Sequence, residues 1–137
     1  FIIKNKQKLR KSVNEIINFT KKNNIKLALS TSTTINNVEA VFKSLSNQIS
    51  KEDFQFIGNR SLIKYEKPNP EIYKLTLEKL NLEPDNCLAI EDTEESSKSA
   101  VSAGIKCIGF PGDYHSDDSF EMCIKKVKIL DQSLFSL

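Results

Sequence analysis

The stretch "LAIEDTEESSKSAVSAGI", residues 88–105, decides the fold. An apolar run, Leu88-Ala89-Ile90, stops at two adjacent carboxylates, Glu91 and Asp92, and a helix-like segment follows and ends at Gly104. A short, continuous apolar run reads as a strand buried on both faces, the habit of parallel sheets. Residues from about 95 to 103 are expected to be helical, with Gly104 at the position just past the end, where a left-handed backbone suits glycine. Two acids between such a strand and such a helix have two readings. They serve the positive end of the helix dipole, or they hold a cation.

The same alternation extends in both directions. Upstream, "YEKPNPEIYKLTLEKLNL" (65–82) predicts a helix with Asn69 as N-cap, Pro70 at the first helical position, and Ile72, Leu75 and Leu80 on its apolar side. Before it, "FQFIG" (54–58) and "IKLALS" (25–30) read as strands. Between these two, "TSTTIN" (31–36) is rich in capping residues and opens a helix with Val38, Val41, Phe42 and Leu45 on one face. Val13, Ile16, Ile17 and Thr20 recur at helical spacing and predict a helix over about 8–23. Downstream, "KCIGF" (106–110) is a further strand and Pro111-Gly112 a turn. A short helix over about 117–125 and an edge strand at "KVKIL" (126–130) complete the reading. Strand and helix in alternation define an α/β fold with a doubly wound parallel sheet, in a single domain.

Composition narrows the class. The chain has 137 residues, 39% hydrophobic and 28% charged, as is ordinary for a globular domain. Lys+Arg is 20 and Asp+Glu 18, a formal net charge of +2, with the basic residues spread along the chain. This balance gives no nucleic-acid footprint. No apolar run approaches the roughly 18 residues of a membrane span. Cys87, Cys107 and Cys123 are odd in number and lack metal-type spacing, so buried free thiols in a reducing, cytoplasmic setting are expected. The first residue is Phe1 and the single Met is Met122, which gives the expectation of a fragment of a longer or processed protein.

In an open α/β sheet, ligands bind beyond the carboxyl ends of the strands. The residues following the four strands are Thr31-Ser32-Thr33, the loop leading to Lys67, the Glu91-Asp92 pair, and Asp113 with His115. Taken singly, the hydroxyls read as caps, the lysine as solvated, the acids as dipole partners and His115 as a loop residue. Taken together they share a chemistry. Hydroxyls and amides at a helix start bind phosphate oxygens. A lysine neutralises phosphate. Paired carboxylates bind Mg²⁺ directly or through its waters. Phosphoryl transfer needs these parts, because its catalysis is mostly positioning and charge neutralisation.

These segments resemble a known family. "LALSTSTT", "KPNPEIY" and "IEDTEESSKSAVSAGI" are similar to motifs II, III and IV of the haloacid dehalogenase-like hydrolases. The Lys-Pro-x-Pro-x-x-Tyr form and the Glu-Asp pair resemble the subgroup of small-sugar phosphatases and β-phosphoglucomutases. "GFPGDYHSDDSF" (109–120) resembles CbbY-type proteins, and "KLRKSVNEII" (8–17) the segment where the cap domain of that family returns to the core. Residues 1–7 would then be the end of the cap or a linker and 8–137 the core.

The resemblance implies an activity and roles for single residues. Thr31 would bind the transferring phosphoryl group, with backbone support from Ser32. Lys67 would orient the nucleophile and neutralise the phosphate, and Glu91 and Asp92 would hold Mg²⁺, Asp92 as the inner-shell ligand. The implied activity is a Mg²⁺-dependent phosphatase of small phosphorylated sugars working through an aspartyl-phosphate. The alternatives are a phosphosugar mutase and a catalytically inactive phosphate- or partner-binding fragment. The parent is expected to be a monomer, cytoplasmic or in the plastid stroma of a photosynthetic eukaryote, with no nucleic-acid or membrane partner.

The sequence departs from the family pattern in one large respect. Motif I, an Asp-x-Asp pair after the first strand, occurs nowhere in the 137 residues. Its first Asp is the nucleophile and its second the general acid/base. The expectation is therefore a core without its first, central strand and most of its helical cap, inactive by itself and completed by a missing N-terminal segment. Smaller departures are Ser96 in place of Gly after the Glu-Asp pair, Asn59 where CbbY-type proteins often carry Asp, and Lys11-Ser12 in place of a Pro-Gly turn.

Overall fold

The computed structural model describes residues 11–137. The expectations for residues 1–7 and the start of the first helix lie outside the described residues. Helices α1 (Lys11–Lys22) and α2 (Ile35–Ser44) flank strand β1 (Ala28–Leu29). Strand β2 (Phe56–Ile57), helix α3 (Glu71–Leu80), strand β3 (Leu88–Glu91), helix α4 (Glu94–Ser102) and strand β4 (Lys106–Gly109) follow, then a last short strand, β5 (Lys125–Lys126). Every pairing is parallel: β1 with β2, β3 with β4, and β4 with β5.

Two apolar clusters cover the two faces, as the alternation of side chains along a strand requires. On one face Val13, Ile16 and Ile17 of α1 and Val38 and Phe42 of α2 pack with Ile108 of β4, Phe110, Leu130 and Leu134. On the other, Ile72 and Tyr73 of α3 and Ala100 of α4 pack with Ala89 of β3 and Cys107 of β4. Neighbouring residues of β4, Cys107 and Ile108, thus enter opposite cores. The α/β, doubly wound parallel architecture is the one the sequence predicts.

The hydrogen-bonded sheet comes in two parts, β1-β2 and β3-β4-β5. Strands β1 and β3 both line a cavity of about 720 Å³ that runs from the apolar faces of α1 and α2 to Glu91, Asp92 and Lys67. Among the described residues β1 pairs only with β2, and β3 only with β4. The runs 25–30 and 54–58 accordingly yield two paired residues each, Ala28–Leu29 and Phe56–Ile57.

Three local expectations are corrected. Pro70, not Asn69, is the N-cap of α3; the Asn69 side chain accepts the Glu71 N–H at 2.9 Å, an Asx turn that starts the helix one residue later. Residues 117–125 are not helical. A single 3₁₀ turn, Asp113–His115, is followed by irregular chain in which Phe120 takes a positive φ of 52° and is buried. Lys126 holds this segment through the carbonyls of Ser116 and Asp118, at 2.6 and 2.8 Å. The final strand is Lys125–Lys126 rather than 126–130. Gly104 behaves as expected: its φ is +83°, and the amides of Gly104 and Ile105 return to Val101 and Ala100. Among the described residues no helix is long and apolar enough to cross a membrane.

Candidate active site

The two acids at the tip of β3 do not cap the helix that follows. Thr93 does: its hydroxyl accepts the Ser96 N–H at 3.0 Å. Glu91 and Asp92 are thus left for other work. Glu91 is buried and forms an ion pair with Lys67 Nζ, their side chains 6% and 13% exposed respectively. The same carboxylate oxygen, Oε1, accepts the hydroxyl of Tyr73 at 2.5 Å. A buried charge is tolerated only when paired and hydrogen-bonded, and Glu91 has both partners.

Lys67 reaches Glu91 from the loop that precedes α3. Its Nζ stands 5.1 Å from the centre of the Tyr73 ring, within cation–π range. Its backbone N–H donates to the Ser32 hydroxyl at 3.1 Å, and the Lys67–Pro68 peptide is cis. Burial, followed by the negative charge of Glu91, pushes the Tyr73 phenol well above its ordinary range, so it remains a proton donor.

The hydroxyl loop after β1 divides its labour. Thr34 is the N-cap of α2, accepting the Asn37 N–H at 3.3 Å. Thr33 accepts the Asn37 side chain at 2.8 Å. Among the described residues, the Thr31 hydroxyl, one turn earlier, accepts only the Thr33 N–H, at 3.1 Å, which leaves its O–H proton available to a ligand. Thr31, Lys67, Glu91 and Asp92 line the same cavity. Ser32 instead supports Lys67 through its hydroxyl. The five residues singled out in the sequence therefore come from two loops and the tip of β3 to one edge.

The donor set suits a hard dication. Asp92 is half-buried and makes no hydrogen bond or ion pair with another described residue. Both bonds to Glu91 fall on Oε1. Among the described residues no group of three or more His, Cys, Asp or Glu is gathered to form a complete protein cage. Two adjacent carboxylates at the mouth of a cavity match Mg²⁺, which keeps several waters and takes one or two carboxylates together with phosphate oxygens.

Tyr73 is the residue that sequence reasoning missed. Its signal was present, as the Tyr of "KPNPEIY", but its meaning depends on α3 packing against the tip of β3. His115 and Asp113 stay outside the cavity lining. His115 is exposed and pairs with Asp118 at 3.1 Å, and Asp118 accepts the Glu94 N–H at 3.2 Å, tying the loop after β4 to the start of α4.

Fold and site together define a doubly wound α/β protein with a carboxylate–lysine–hydroxyl site at the carboxyl ends of its strands. The chain belongs to the haloacid dehalogenase-like hydrolases, whose family pattern matches residues 2–110. It is 33% identical over 112 residues to protein CbbY of Cereibacter sphaeroides, covering 82% of this chain and 49% of that protein. It is 39% identical over 97 residues to a phosphorylated carbohydrates phosphatase of Thermotoga maritima, covering 70% of this chain and 43% of that one. The crystal structure of CbbY from Rhodobacter sphaeroides in complex with xylulose-(1,5)bisphosphate superposes with a TM-score of 0.84 at 30% identity, over 90% of this chain and 55% of that chain. The chain spans about half the length of these relatives.

Proposed function

We propose that this chain carries part of the active site of a Mg²⁺-dependent phosphatase acting on small phosphorylated sugars. The observation that carries the reading is the convergence of Thr31, Lys67, Glu91 and Asp92 on one cavity edge. Two relatives, a phosphorylated carbohydrates phosphatase and a CbbY bound to a sugar bisphosphate, support the substrate class.

Each residue has a definite part. The Thr31 hydroxyl donates to a phosphoryl oxygen at the start of the loop that leads into α2. Lys67 places its ammonium between Glu91 and the incoming phosphate and offsets charge on both. Glu91 and Asp92 would hold Mg²⁺, with Asp92 the inner-shell ligand. Held there, the ion would supply charge neutralisation to the phosphate. Ser32 fixes the backbone from which Lys67 projects.

The nucleophile in this reading is a carboxylate on a strand outside the 137 residues, lodged between β1 and β3. The two parallel edges that line the cavity suit one more parallel strand, which would pair with both and cover the apolar lining. That strand would deliver its Asp-x-Asp pair beside Thr31, Lys67 and Asp92, and the phosphoryl group would pass through an aspartyl-phosphate. By itself the 137-residue chain is then inactive.

The test has two parts. The reading frame upstream of Phe1 is sequenced for a strand ending in Asp-x-Asp, followed by a helical cap; its absence would refute the reading. The protein the frame encodes is then assayed with sugar phosphates for release of inorganic phosphate, with Mg²⁺ and with a chelator. Phosphate release that survives chelation overturns the metal assignment. Formation of an isomeric sugar phosphate without release replaces the phosphatase with a mutase.

A further inference from the structure

Glu91 is bound unevenly. Tyr73 Oη and Lys67 Nζ both approach Oε1. Neither bond involves Oε2. Among the described residues no buried side-chain oxygen lacks a hydrogen-bond partner, so the unbonded Oε2 is not sealed in the core. Glu91 lines the cavity, and Oε2 is the atom it can offer there.

Tyr73, and not Lys67, fixes this orientation. Tyr73 is buried on the inner side of α3, packed in the cluster with Ile72, Ala89 and Cys107, so its ring has little rotational freedom. Its hydroxyl therefore points at one place. Lys67, by contrast, ends a flexible four-carbon stem and has a competing partner whenever phosphate arrives. When its ammonium turns toward phosphate, the Tyr73 hydroxyl still holds Oε1.

We propose that Tyr73 is a positioning residue for Glu91, locking Oε1 and thereby presenting Oε2 to a divalent cation at the cavity edge. The proposal rests on the reading of Glu91 and Asp92 as Mg²⁺ ligands. It adds a residue from outside the acid pair and a division of labour between the two oxygens of one carboxylate. Groups that orient a metal-binding side chain commonly contribute ten- to a hundredfold in metal affinity.

The test is Mg²⁺ binding by calorimetry, on the full chain as its gene encodes it, comparing the unchanged protein with Tyr73→Phe. Phenylalanine keeps the ring, its packing and its contact with Lys67, and removes only the hydroxyl. The expected result is a Kd raised about tenfold or more, with circular dichroism unchanged. A Kd within about twofold overturns the positioning role while leaving the metal site standing. No saturable Mg²⁺ binding by the unchanged protein overturns the metal reading and the proposal with it.

A second measurement needs no variant. The Tyr73 hydroxyl proton, shielded by burial, is followed by NMR as Mg²⁺ is added. Its resonance is expected to shift as Oε2 turns to the cation, directly or through one of its waters, and Oε1 becomes a weaker acceptor. A resonance that stays in place at Mg²⁺ saturation overturns the proposal.

Discussion

The hydroxyl of Ser32 accepts the backbone N–H of Lys67 at 3.1 Å, across 35 positions of sequence. This bond joins the loop after β1 to the loop before α3. Ser32→Ala removes the acceptor and leaves a half-buried amide unpaired. A loss of about 1 kcal/mol in urea-measured stability is expected. Phosphate release by the complete protein should fall as well, while Mg²⁺ affinity holds, because Lys67 is displaced and the acid pair is not. A matching fall in metal affinity would place Ser32 elsewhere in the mechanism.

Asp92→Asn keeps shape and removes charge. Most of the activity of the complete protein should disappear through weaker Mg²⁺ binding. A turnover within about twofold, near 0.4 kcal/mol, would show the metal assignment to be wrong. Cys107→Ala, on β4 in register with Ala89, should change kinetics only mildly.

Gly109 makes room for a ring. A Cβ built there would lie 2.6 Å from two carbons of the buried Phe120 side chain. Gly109→Ala should therefore cost about 1–3 kcal/mol, as overpacked cores do. Denaturant titration checks it; an unchanged midpoint would mean that the segment around Phe120 yields freely.

Acid should loosen the entry to α3. The Glu71 carboxylate accepts the N–H groups of Lys64 and Tyr65, at 2.6 and 2.9 Å. These two bonds hold its pKa below the ordinary glutamate value. A depressed carboxylate contributes stability above its unfolded pKa, about 4.3, and loses it as pH falls through the folded one. Melting temperatures of the unchanged protein and of Glu71→Gln should differ at pH 6 and converge toward pH 3. Parallel curves would refute the assignment.

Burial pushes the Cys107 thiol far above its ordinary pKa, with Cys123 beside it the next cause. The thiolate is the reactive form, so Cys107 should resist alkylation at pH 8 until the chain unfolds. Labelling followed by mass spectrometry of the peptides reads this directly; rapid modification of Cys107 in the native state would contradict its burial.

The elements with local signals were legible in the sequence. Glycine at 104, the apolar run at 88–90 and the spacing in α1 and α2 each carry their own stereochemistry, and the structure follows them. The lapses come from competition that a local pattern does not show. At 117–125, Phe120 and Cys123 have helical spacing, yet Phe120 turns under Gly109 with a positive φ and Lys126 draws in the carbonyls of Ser116 and Asp118. At the site, the hydroxyls, lysine and acids could be read from where they follow strands. Tyr73 could not, because its hydroxyl matters only once α3 lies against β3.

The Lys67–Glu91 pair has a thermodynamic corollary. A buried carboxylate that already owns its counter-charge needs no dication to keep the core folded. The strand tip is therefore folded with or without the ion: stripping ions with a chelator should leave a cooperative melting curve, lowered only by the lost binding free energy, RT ln(1 + [Mg²⁺]/Kd).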